Sequence, residues 1–119
     1  MESSLNNFIK ITEDSYFKGS YSGVGDLELN GSFRGSLKVK NLFIKKSGIF
    51  IGYVTADNIV VEGEINADIQ TENLHLKSTG IVDGEITYRN IIIDSGGLLK
   101  SGMIQNISSL NNLIKLHKS

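Results

Sequence analysis

Pairs of apolar residues separated by one position recur along this chain at a nearly fixed interval. They are Leu27/Leu29, Leu42/Ile44, Ile59/Val61, Leu74/Leu76 and Ile91/Ile93, with first members 15, 17, 15 and 17 residues apart. An earlier pair, Ile9/Ile11, lies 18 residues before Leu27. The residue ahead of each later pair is Asp26, Asn41, Asn58, Asn73 and Asn90, and Asn106 continues the series before Ile107. A third marker, a small residue followed two positions on by an apolar one, reads Gly19/Tyr21, Gly35/Leu37, Gly52/Val54, Ala67/Ile69, Gly84/Ile86 and Gly102/Ile104. Three markers in one register define an internal repeat. Its period near 16 residues excludes helical repeats, which need about 33 residues or more, and heptad coiled coils.

The alternation of 15 and 17 is local. Short repeats link their first two segments tightly, as in Leu29-Asn30-Gly31-Ser32-Phe33. Long ones insert two residues, as in Ile44-Lys45-Lys46-Ser47-Gly48-Ile49-Phe50. Within each repeat the apolar residues alternate with polar ones: Phe33, Gly35, Leu37 and Val39 are separated by Arg34, Ser36 and Lys38. Period two predicts strand. Three strand facets per repeat, each ending at a Gly or Asn corner, describe one rung of a single-stranded parallel β-helix. A hairpin meander would set neighbouring repeats antiparallel, and identical markers would not stack. In a β-helix they stack at about 4.8 Å, so six rungs make a rod of roughly 29 Å.

This reading predicts an all-β solenoid of about six rungs over residues 9–105, an N-terminal tail over 1–8 and a C-terminal tail or cap over 106–119. Leu27, Leu42, Ile59, Leu74 and Ile91 should form one inward column, and Phe17, Phe33, Phe50, Ile65 and Val82 a second. Tyr21, Leu37, Val54, Ile69, Ile86 and Ile104 should form a third. The Asn column should occupy a corner, since Asn tolerates left-handed backbone and stacked amides can bond from rung to rung. Lys100 falls where an inward apolar residue is due, so the sixth rung is expected to bulge. In the tail, Leu110, Leu113, Ile114 and His117 lie at i, i+3, i+4 and i+7, the spacing of one helical face.

Composition narrows the function. With 12 basic against 13 acidic residues the net charge is −1, without the basic surplus that nucleic-acid binding requires. There is no cysteine, hence no thiolate metal site. No apolar run approaches the roughly 18 residues of a membrane span, and no signal peptide opens the chain. A cytoplasmic protein is the expectation. Of the two histidines, His75 lies between Leu74 and Leu76, so alternation points it outward as a solvated side chain, and His117 is in the tail. The carboxylates Asp57, Glu62, Glu64, Asp68, Glu72, Asp83 and Glu85 share no register that pairs two at one site. No catalytic, cofactor-binding or metal-ligating residue is therefore expected. Charge is zoned along the rod: Asp26 to Lys46 carries five basic and two acidic residues, Asp57 to Glu85 seven acidic and one basic. Such zones suit contact between unlike surfaces. Phe43, Val60, Ile92, Ile49 and Ile51 alternate outward, where a cluster would mark an association face.

The run Leu74-His-Leu-Lys-Ser-Thr-Gly-Ile-Val-Asp-Gly-Glu-Ile-Thr, followed by Ile91-Ile-Ile-Asp-Ser-Gly-Gly, resembles the bactofilins. That family commonly shows L-x-L-x-x-T-a-x-v-x-G-x-I and then l-x-I-e-x-G-A. The upstream Leu29-Asn-Gly-Ser-Phe-Arg-Gly-Ser-Leu is similar to the family's v-d-G-x-h-x-G-x-I. The likeness covers about residues 16–105. It departs in the last rung, where this chain has Leu98, Leu99, Lys100 and Met103, and in lacking the proline-rich tails common there. The resemblance implies a right-handed β-helix and a bacterial cytoskeletal protein that polymerises without nucleotide through its β-helix ends. It also implies a scaffold for cell shape and envelope growth near the inner membrane, with peptidoglycan enzymes or other envelope proteins as partners. Each end of a β-helix exposes core side chains and unpaired backbone groups, and proline, a usual edge blocker, is absent. The expected polymerisation surfaces are Ile9, Ile11, Phe17 and Tyr21 at the first rung, and Leu98, Leu99, Met103 and Ile104, beside Ile91 and Ile93, at the last. Leu5 and Phe8 are the candidate membrane contacts. The alternatives are a left-handed β-helix acyltransferase with His75 as base, and a non-polymerising β-helix adaptor.

Overall fold

The computed structural model describes residues 8–100 and the backbone of residues 103–105. Eleven strands are formed by these residues: β1 Phe8–Ile11, β2 Tyr16–Ser22, β3 Asp26–Leu29, β4 Ser32–Ile44, β5 Ile49–Val61, β6 Glu64–Leu76, β7 Ile81–Asp83, β8 Ile86–Tyr88, β9 Asn90–Ile93, β10 Leu98–Leu99 and β11 Met103–Gln105. Every pairing is parallel and joins each rung to the next. The result is a parallel β-helix. The predicted columns are its registers: Ile9, Leu27, Leu42, Ile59, Leu74 and Ile91 lie one above another, as do Phe17, Phe33, Phe50, Ile65, Val82 and Leu99.

Alternation closes the core. In β6 the inward Ile65, Ala67, Ile69, Leu74 and Leu76 are all buried while Glu64, Asn66, Asp68 and Gln70 are exposed. Burying such side chains contributes about 1.5–3 kcal/mol each. Three phenyl rings follow one another up the second column, with Phe17 and Phe33 centroids 4.6 Å apart and Phe33 and Phe50 5.1 Å apart. Phe33 and Leu42 both enter this core from one 13-residue strand, so β4 must turn inside its own length. It turns at Gly35, whose φ of 140° suits glycine, and at Lys40, where the pairing register with β5 is interrupted. Glycine at 35 is also a matter of space. A Cβ there would overlap the Gly19 carbonyl oxygen one rung below.

The Asn corner is a hydrogen-bond ladder. Asn41 Nδ2 donates to Asp26 Oδ1 (2.7 Å), Asn58 to Asn41 (2.7 Å), Asn73 to Asn58 (2.9 Å) and Asn90 to Asn73 (2.9 Å). The expected left-handed backbone is not adopted, because no described residue other than glycine has positive φ. These asparagines lie in or at the ends of strands, and the ladder needs their amides stacked rather than their backbone reversed.

The top rung corrects two expectations. Met103, not Ile104, is level with Ile86; Ile104 is level with Thr87. Lys100 is exposed, and its N–H donates to the Val82 carbonyl, so it takes an outward place while the neighbouring Leu99 packs on the core. The tail read as a helix, with Leu110, Leu113, Ile114 and His117, lies outside the described residues.

Candidate functional site

A solenoid buries each rung with the next, so its chemistry changes only where the series stops. At the lower end β1 pairs with β3 alone and β2 with β4 alone. Among the described residues their other edges have no strand partner. Ile9, Phe17 and Tyr21 are half-buried, packed on the core from one side. The residues directly above them, Leu27, Phe33 and Leu37, are fully buried. Ile11 is better covered, at the margin of burial. At the upper end β9, β10 and β11 each pair with one strand below. Ile93 is 43% exposed where Leu76 beneath it is 0%, and Ile91 and Leu99 are half-buried on the core.

The expected end residues therefore divide. Ile9, Ile11, Phe17 and Tyr21 lie together on the lower layer, and Leu99 lies on the upper one beside Ile91 and Ile93. Leu98 points outward, level with Ile81, which removes it from the core-end layer. Met103 and Ile104 belong to β11, on the upper rung by backbone register. Phe8 begins β1 at an exposed outward position, level with Asp26. Leu5 is outside the described residues.

His75 is outward but not simply solvated. Its Nε2 lies 3.0 Å from Asp94 Oδ1, both side chains being partly exposed. The signal was present: His75 is level with Ile92, and alternation puts Asp94 on the same outer face. The shallow groove beside this pair is lined by Asn58, Val60, Asn73, Asn90 and Ile92. None of these five lining side chains is a nucleophile or a titratable group. Among the described residues no group of three or more His, Cys, Asp or Glu side chains converges as a metal site, and no helix is long and apolar enough to cross a membrane.

Ion pairs run up the outer surface between adjacent rungs: Lys10–Glu28 at 3.8 Å, Lys45–Glu62 at 3.7 Å and Arg89–Glu72 at 2.7 Å. They are exposed and add at most about 1 kcal/mol each. Sequence reasoning passed over Tyr16, which shares an exposed groove with Ile49 and Ile51. Its alternation against the inward Phe17 was the available sign.

Residues 9–104 match the sequence model of a family described as "Bactofilin: Polymer-forming cytoskeletal". The fold is similar to that of Thermus thermophilus bactofilin, seen by cryo-electron microscopy in double helical filaments. The TM-score is 0.73 at 21% identity, over 80% of this chain and 98% of that one. No curated protein matches the chain.

Proposed function

This chain belongs to the bactofilins, a polymer-forming cytoskeletal family, and on that premise we propose that it is a filament subunit that grows by end-to-end stacking of β-helices without nucleotide. The observation that carries the reading is the pair of terminal layers that no described residue covers. Half-buried Ile9, Phe17 and Tyr21 at one end, and Ile91, Ile93 and Leu99 at the other, continue columns that are fully buried in between. A second copy set on either end would extend those columns and pair the free strand edges. No step in that reaction needs nucleotide hydrolysis: burial of apolar side chains and backbone pairing supply the driving force.

Like ends meet like ends, giving two alternating interfaces and a filament without polarity. The subunit serves as a structural scaffold rather than a catalyst, working in the cytoplasm at the inner face of the membrane. Leu5 and Phe8 provide a peripheral contact there, and the scaffold holds envelope-growth enzymes in place. Purified full-length chain, in buffer free of nucleotide and metal, should form filaments visible by negative-stain electron microscopy. A protein that stays monomeric across micromolar to millimolar concentration would contradict the reading.

A further inference from the structure

The third facet, which follows the glycine bend, carries on its outer face a group of polar side chains that the folded chain does not use. Ser20, Ser36 and Tyr53 stand in one column, and Ser22, Lys38 and Thr55 in the next. Together they line an open groove of about 410 Å³ on the lower half of the rod. All six are exposed, Tyr53 at 63%. Among the described residues none of these six side chains makes a hydrogen bond or an ion pair. Elsewhere on the surface, Ser47 and Thr79 donate their hydroxyls to carbonyls of the neighbouring rung.

The charge around the groove is of one sign. Strand β2 and residues 32–40 carry Lys18, Arg34, Lys38 and Lys40 and no carboxylate. These four cations belong to no ion pair among the described residues. Above the groove the sign changes, where Asp68 stands level with Tyr53.

We propose that this groove binds a saccharide that carries acidic groups. A sugar hydroxyl both donates and accepts a hydrogen bond, and so does each Ser, Thr and Tyr hydroxyl of the groove, so the two sets can answer each other in several ways. The exposed Tyr53 ring offers an apolar face to the C–H side of a sugar ring, with a polar tip beside it. The Lys38 ammonium meets an acidic substituent, and Lys18 and Arg34, across the glycine bend, keep the local potential positive. Rungs about 4.8 Å apart and outward residues roughly 7 Å apart along a strand set these groups at the pitch of one or two sugar rings. A bare phosphate or a lipid headgroup would use little of this. The hydroxyls of the groove outnumber its one ammonium, and the backbone N–H groups that cradle anions elsewhere are here taken up by strand pairing. The six side chains point sideways, so the site stands apart from the end layers and does not depend on them.

Isothermal titration calorimetry of the full-length chain tests the site, with tetragalacturonate as the acidic probe and cellotetraose as the neutral one. Tetragalacturonate should bind, and more tightly than cellotetraose. Tyr53→Ala should weaken its binding about tenfold, the scale of one lost aromatic contact, and Tyr53→Phe, which keeps the ring, should lose less. Lys38→Gln should remove the preference for the acidic probe. Tyr16→Ala, at a comparably exposed tyrosine on the second facet, should change nothing. All three positions are exposed, and circular dichroism checks that sheet content is kept. Wild-type chain that does not bind tetragalacturonate, a Tyr53→Ala variant that binds it at full strength, or a preference that survives Lys38→Gln would each overturn the site. So would flotation with phosphatidylglycerol vesicles that Tyr53→Ala and Lys38→Gln abolish while neither saccharide binds. None of these outcomes bears on end stacking, which electron microscopy of the same wild-type sample reads separately.

Discussion

Asn58 donates its side-chain N–H to Asn41 Oδ1 and accepts one from Asn73, so it uses both halves of its amide. Asp26, at the foot of the ladder, only accepts. That difference fixes the direction of the whole column. An ionised carboxylate has no proton to give, so Asn41 must turn its NH₂ downward, and every asparagine above follows. Asn58→Asp would place a carboxylate against the Asn41 carbonyl oxygen and should cost about 1–2 kcal/mol. Asp26→Asn keeps the only acceptor needed there and should change stability by no more than about 0.5 kcal/mol. Urea denaturation of the two variants reads the comparison; equal losses would contradict the direction of the ladder. The core is less forgiving. Leu74 is 1% exposed, and Leu74→Asp would bury an unpaired carboxylate, which costs more than a domain this size can lose. No soluble β-rich protein should be recovered, and circular dichroism of the soluble fraction is the check.

At the level of the rung, a column of glycines, Gly19, Gly35, Gly52 and Gly84, lets four of the strands bend with positive φ. Gly19 and Gly35 have nearly the same φ, 141° and 140°. A Cβ on Gly35 would overlap the Gly19 carbonyl oxygen, whereas one on Gly19 would meet, among the described residues, the Phe17 ring at 3.7 Å. Backbone strain alone costs about 1–3 kcal/mol. Gly19→Ala should show that loss in monomer stability, and Gly35→Ala a clearly larger one, because the rung below must also move. Thermal unfolding of both variants, under conditions that prevent assembly, distinguishes them. Ala67 occupies the same column without positive φ, so the fourth rung turns by another route. The columns were legible in the sequence because a solenoid repeats its environment, and Leu27, Leu42, Ile59 and Leu74 answer to the same neighbours. The last rung was not, because Ser101 and Gly102 are both small and either suits the marker used to count. With Gly102 as the marker, Ile104 falls where the backbone register has Met103. At that same rung Leu98 and Lys100 both take outward places, on either side of the inward Leu99. The left-handed Asn corner failed for a different reason. Asn permits that backbone, but the amide ladder gives it a stronger reason to stay extended. The core ends could be named early because they are the first and last members of the columns. The His75–Asp94 pair and the Tyr16 groove follow from alternation only when neighbouring repeats are set side by side, His75 level with Ile92 and Tyr16 level with Ser32.

For the whole molecule, the two ends make a testable pair because they are built from different residues. The lower layer presents Phe17 with its ring stacked on Phe33 on one side only. The upper layer presents Leu99 above Val82. Each layer holds several half-buried apolar side chains, and completing their burial contributes up to about 1.5–3 kcal/mol apiece. Association costs about 4–15 kcal/mol in lost translational and rotational freedom, which one such layer and its strand-edge hydrogen bonds can offset but a damaged one cannot. An arginine in the layer would have to shed its water against an apolar surface with no anion to meet it. Neither Phe17 nor Leu99 is sealed within the monomer, so an arginine at either place can extend into solvent and the rungs should keep their fold. If like ends join like ends, each variant retains one sound end. Phe17→Arg should then stop at dimers held by the upper ends, Leu99→Arg at dimers held by the lower ends, and the double variant at monomers. Analytical ultracentrifugation, with circular dichroism to confirm unchanged sheet content, measures all three. Long filaments from either folded single variant would show that growth does not pass through these layers. Monomers from both single variants would show that unlike ends join, because damage to either partner of a head-to-tail contact removes the only interface there is.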